Sequence, residues 1–144
     1  MDLKSKSVEF QIPIDHFRGS YAWGVGARES FLNNLALHLR GTITSGPTLV
    51  GKIAIIDIEA LKGEEPSSYD KEWFNETVAI GQVNVGGNTL RVHANVARSG
   101  IQFMLNLLNS SKEAELVMTC LPLEDNGFGG QKSDLLRISL DLGR

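Results

Sequence analysis

The chain has a single cysteine among its 144 residues, so no internal disulfide can form. Cys120 falls in the apolar run Leu116-Val117-Met118-Thr119-Cys120-Leu121, which points to a buried structural thiol rather than a nucleophile. No run approaches the ~20 apolar residues needed for a membrane-crossing helix. The first ten residues, MDLKSKSVEF, hold no apolar core of signal-peptide length. Together these features lead us to expect a reducing, cytoplasmic setting. Neither sign of charge dominates. The net charge is −3, and no Lys/Arg cluster exists beyond Lys4 and Lys6 near the N-terminus. Neither nucleic acid nor a membrane is therefore an expected partner. The tripeptides Asn75-Glu76-Thr77 and Asn109-Ser110-Ser111 match a glycosylation acceptor, but without an export signal they are read as accidental.

What is present describes an ordinary globular chain, with 42% hydrophobic and 22% charged residues. Its length suits one domain over residues 1–144, and no repeat or linker divides it. The clearest local pattern is the hairpin 77–96. Val83 and Val85 alternate with Gln82 and Asn84, and Leu90, Val92, Ala94 and Val96 alternate with Arg91, His93 and Asn95. A two-residue Gly87-Asn88 turn pairs Val85 with Leu90, Val83 with Val92, Asn84 with Arg91 and Gln82 with His93, so both faces agree on one register. Glycine at the first turn position predicts a type II′ turn or a close relative. Gly81 marks a bulge where the apolar phase switches from Val78 and Ile80.

The same period of two predicts further strands. Ser7–Ile14 alternates cleanly, and Pro13 marks an edge or a strand end. Asp15–Asn34, with its glycines, reads as a loop containing a short strand near Tyr21–Val25. Leu35–Ile43 reads as a strand in preference to a helix over 27–40. Thr48–Ile58 reads as a strand whose apolar phase changes midway. Glu115–Leu121 and Leu135–Leu142 follow, and 124–133 is a flexible loop around Asn126-Gly127-Phe128-Gly129-Gly130. Ser99-Gly100-Ile101-Gln102 has the form of a capping box and predicts one short helix near 99–109. The expected fold is mainly β: an antiparallel β-sandwich, or flattened barrel, of seven to eight strands with that helix. Ile101, Phe103, Met104, Leu105, Leu107 and Leu108 cover most of the helix circumference, leaving only Gln102, Asn106 and Asn109 polar. So apolar a helix needs cover on several sides, and Phe103 and Leu107 are the residues expected at an interface with a second subunit. Leu105 and Leu108 are expected to point inward.

Chemistry is harder to read. His16, His38 and His93 are scattered, and no His/Cys/carboxylate spacing predicts a metal. No nucleophile elbow is present. Gly24-Val25-Gly26 lacks the third glycine and the strand–helix context of a dinucleotide turn. The acidic residues between Asp57 and Glu76 lack the spacing of a calcium loop and read as a solvated segment. No cofactor is expected. The aromatics offer a binding hint: Tyr21 and Trp23 in one glycine-rich segment, Tyr69, Trp73 and Phe74 in the acidic one. The leading expectation is a non-catalytic, homo-oligomeric protein that acts by binding or assembly, with another protein as a further candidate partner. A carbohydrate- or small-ligand-binding module using those aromatics is the alternative. A small enzyme with a site near Asp15, His16, His38 or His93 comes third.

Overall fold

A computed structural model describes residues 6–25, 31–61, 79–110 and 113–142. Among these described residues, eight strands and one helix follow in the order β1 (Val8–Val25), β2 (Phe31–Thr42), β3 (Ile53–Ala60), β4 (Gly81–Gly86), β5 (Thr89–Val96), α1 (Arg98–Ser110), β6 (Ala114–Cys120), β7 (Glu124–Asp125) and β8 (Gln131–Leu142). The strands form one mixed sheet, β4-β5-β3-β2-β1-β6-β8-β7, and β4 pairs additionally with β8. The hydrogen-bonded pairings of seven strands therefore return to their starting point. The sheet is not purely antiparallel as expected, because β3 and β5 run parallel. A direct β3–β4 hairpin would have kept it antiparallel. Instead the chain enters β4 on the far side of the place β5 comes to fill, so β5 lies between them.

The hairpin β4–β5 has the register that its two faces demand: Val83 opposite Val92, Val85 opposite Leu90, Gln82 opposite His93 and Asn84 opposite Arg91. Gly87 has φ 59°, and Asn88 is not among the residues with positive φ, the combination a type II′ turn requires. Val83, Val85, Leu90 and Val92 join Phe10, Ile12, Leu37, Ile56, Leu116 and Met118 in the buried core.

Four local expectations are corrected. The described residues of Asp15–Asn34 are strand rather than loop: β1 runs on through the expected short strand at Tyr21–Val25, and β2 begins at Phe31. The reason is a bulge between Ile14 and His16, which shifts the register against β2. Before it, Phe10 and Ile12 face inward. After it, odd positions share a face with the buried Leu35, Leu37 and Leu39. Second, Thr48–Lys52 belongs to a turn, with Leu49 at φ 69° and Gly51 at φ 90°, so β3 starts only at Ile53. Third, residues 126–130 form a built turn. Asn126 Oδ1 accepts the backbone N–H of Phe128 at 2.8 Å and of Gly130 at 3.1 Å. Fourth, α1 starts at Arg98, so Ser99 lies inside its first turn rather than at the N-cap position. The Ala97 carbonyl accepts from Ile101 N, so the helix begins a turn's fraction earlier, straight off β5. The preference for strand over helix in β2 agrees with the structure.

Pro13 lies inside β1, opposite Glu115 of β6. Gln11, two residues before, directs its N–H and C=O the other way, to Ser45 and Thr44. Pro13 therefore loses its donor on that side, away from β6, where the bulge interrupts the ladder. At the same place the β1 backbone comes so near β2 that a Cβ on Gly41 would collide with the Pro13 carbonyl and the Ile12 side chain. Gly41→Ala is therefore expected to destabilise the fold by roughly 1–3 kcal/mol, as overpacking does. Gly86→Ala, where an added Cβ meets nothing within 4 Å, should change stability by less than about 0.5 kcal/mol. Urea unfolding midpoints of the two variants check the pair, and equal midpoints would contradict the close approach.

Candidate functional site

Alternation fixes which side chains leave the core. Leu37 and Leu39, Ile56 and Ile58, Val92 and Ala94, and Val83 and Val85 are buried, so the residues between them face outward. The register then aligns these outward residues across the sheet. Arg18 of β1 stands opposite His38 of β2, His38 opposite Asp57 of β3, Asp57 beside His93 of β5, His93 opposite Gln82 of β4, and Gln82 opposite Asp134 of β8. Directly paired residues share a face, so this is one polar row around the outside of six strands.

Contacts concentrate at its β1–β3 end. His38 Nδ1 lies 2.6 Å from Asp57 Oδ1, and Ser20 Oγ lies 3.4 Å from His38 Nε2. His93 Nε2 is 3.7 Å from Glu59 Oε2. His16 Nδ1 is 2.7 Å from Asp15 Oδ1, but this pair sits at the bulge and is the most exposed of the three. The structure thus brings His38 and His93 onto one row with Asp57 between them, and leaves Asp15 and His16 apart. Sequence reasoning missed Ser20 and the role of Asp57. A usable signal existed in Asp57, the single charge in Ile53–Ile58. Among the described residues, no group of three or more His, Cys, Asp or Glu side chains could hold a metal ion.

A second surface lies on the far half of β1. β6 stops pairing with β1 at Ile14, so beyond it β1 has, among the described residues, one strand neighbour, β2. Phe17, Gly19, Tyr21, Trp23 and Val25 share one face there, with the four large side chains 41%, 58%, 64% and 80% exposed. The expected short strand at Tyr21–Val25 is the end of this longer period-two run, which starts at Phe17. A Cβ on Gly19 would come 3.1 Å from Leu105, so α1 leans against this face. Arg98 Nη2 donates to the Asn33 carbonyl at 2.9 Å, tying the β1–β2 arm to the start of α1, and Tyr21 Oη donates to Asn33 Oδ1 at 3.1 Å. On the helix, Ile101 and Leu108 are buried, Met104, Leu105 and Leu107 are half-buried, and Phe103 is 64% exposed. Tyr69, Trp73 and Phe74, and the acidic residues from Glu64 to Glu76, lie outside the described residues. Gly24 and Val25 end an antiparallel strand, which is not the context of a dinucleotide turn.

A cleft of about 560 Å³ opens between β4, β8 and residues 121–124, lined by Gln82, Asn84, Leu121, Glu124, Lys132 and Asp134 among others. Among the described residues, no helix is long and apolar enough to cross a membrane. Comparison with protein-family models, characterised proteins and solved structures finds no match.

Cys120 is fully buried. Burial pushes its thiol pKa up, partly offset by a hydrogen bond with Ser133. The folded chain therefore holds this proton more tightly than the unfolded chain. The resulting stability is complete below the ordinary thiol range near about pH 8.5, and it is lost as pH rises from there toward the raised value. Cys120 is expected to resist a thiol reagent in the native protein and react fast in urea. Cys120→Ala should flatten the alkaline fall in unfolding midpoint. Equal labelling rates in the two states would contradict the placement.

Proposed function

We propose that this protein is a flattened β-barrel that acts by assembly, pairing with a second copy of itself through the far half of β1. The observation carrying this reading is the stripe Phe17–Tyr21–Trp23–Val25 on a strand that, among the described residues, has one strand neighbour beyond Ile14. A long strand edge with apolar side chains and few charges is a template for another strand. Residues 17–25 carry one charged side chain, Arg18. Antiparallel pairing about a two-fold axis near Ser20 places Arg18 opposite Ala22 and keeps the two arginines apart. The same pairing sets Phe17 against Trp23 on one face, an aromatic pair worth about 0.2–1 kcal/mol relative to alanines. Phe103, exposed, and Leu107, half-buried, add apolar surface on a different face of α1 from the Leu105 contact. A protein of this kind fits a cytoplasmic setting.

The exposed pair Tyr21 and Trp23 also supports a second reading, a flat aromatic platform for a sugar ring. Light scattering separates the two. Self-assembly predicts a mass above the monomer at micromolar concentration that falls to the monomer in Tyr21→Lys and Trp23→Lys. A monomeric wild-type chain at high micromolar concentration overturns it. Quenching of Trp23 fluorescence by added sugars would favour the platform instead.

A further inference from the structure

We infer that Ser20 is an activated nucleophile, with His38 as its general base and Asp57 as the residue that positions the imidazole, and that it accepts the acyl group of small neutral or cationic esters. This goes beyond assembly: Ser20 lies on the same β1 arm, but its side chain is on the outer face of the sheet, opposite the aromatic stripe.

An ionised carboxylate can only accept a hydrogen bond, so the 2.6 Å contact with Asp57 requires the proton on His38 Nδ1. In the neutral ring the lone pair is then on Nε2, the atom 3.4 Å from Ser20 Oγ. Serine donor, imidazole acceptor and carboxylate orienter therefore stand in the order a nucleophilic triad needs, supplied here by three adjacent strands. Such contacts are commonly long before substrate binds. The register also leaves room for a substrate. Directly opposite Ser20 stands Ala36, and beyond Ala36 stands Glu59. The small alanine side chain forms a floor between Ser20 and Glu59, with His38 at one end of it. An open floor two strands wide suits a short acyl group, and the Glu59 carboxylate disfavours an anionic one. Arg18, on the face of Ser20 and opposite His38, is the cation nearest in register to a developing oxyanion.

In the reaction, Ser20 Oγ forms a bond to the ester carbonyl carbon while its proton passes to His38 Nε2. The bond from that carbon to the leaving oxygen then breaks, and the leaving group takes the proton from His38. The acyl group stays on Ser20 until water, deprotonated by His38, releases it as the acid.

A fluorophosphonate reporter tests the first half directly, since Ser20 Oγ would bond to phosphorus as fluoride leaves. Intact-mass analysis and peptide mapping of the full chain should find one adduct, on Ser20, absent from Ser20→Ala. His38→Gln should slow its formation about a hundredfold or more, the usual contribution of a general base. Asp57→Asn should slow it at least about tenfold with an unchanged unfolding midpoint, which a purely structural role would not produce. Ala36→Leu should slow it too, by filling the floor beside Ser20. Three results overturn the inference: no adduct on Ser20 of the native chain, an adduct on another residue, or labelling of Ser20 as fast in His38→Gln or in urea as in the native protein.

Discussion

The bulge at Asp15, where the β1 backbone passes close over Gly41, is the constraint on which the rest of the structure depends. β1 has too many residues to serve one neighbour. Its first half, Val8–Ile14, pairs with β6, and its second half, from Ile14 onward, pairs with β2. β8 does the same on the opposite side, pairing with β4 up to Leu135 and with β6 beyond it. Each change of neighbour coincides with a register shift, at Ile14/His16 and at Thr119/Cys120. These two irregular points let β6 fit between two long strands and let the ring of pairings close through β4 and β8. Bulges commonly sit where a sheet must bend, because the extra residue adds twist and re-aims the strand.

The same bulge decides what the surface carries. Its inserted residue exchanges the two faces of β1, so even positions face the core before it and odd positions share the core face after it. Phe17, Tyr21 and Trp23 thereby stay on the side of Leu35–Leu39, where α1 covers β2 but leaves much of β1 open. Arg18 and Ser20 are turned outward, beside His38. One inserted residue thus produces both an apolar stripe and a polar cluster on opposite faces of one arm. Without it, Ser20 would face the helix and the aromatic residues would face solvent beside His38 and Asp57.

Buried side chains explain the closed core, but the exposed arm needs a different account. Its inner surface is anchored by Leu35 and Leu37 under α1, and its outer strand, among the described residues, by the ladder to β2. The bond from Arg98 to Asn33 holds that arm to the helix, and the one from Tyr21 to Asn33 braces its two strands. Both polar links fix direction more than they add stability, since exposed hydrogen bonds contribute little net free energy.

By itself the sequence determined the elements whose two faces are chemically distinct. The β4–β5 register is legible because Val83, Val85, Leu90 and Val92 must all be buried, and a one-residue slip would expose every one of them. The helix, the strand character of β2, and β6 follow from the same kind of pattern. Beyond Ile14 it marked only the short stretch Tyr21–Val25 as strand and not the continuity of β1, because a period-two signal is broken by one inserted residue and because that arm buries only one of its strands. Nor did it determine the parallel β3–β5 pairing, since partner choice depends on sheet closure rather than on any local pattern. The Ser20–His38–Asp57 line was out of reach for the same reason. Its members are far apart in the chain, and only the register of three strands brings a hydroxyl, an imidazole and a carboxylate into hydrogen-bonding range.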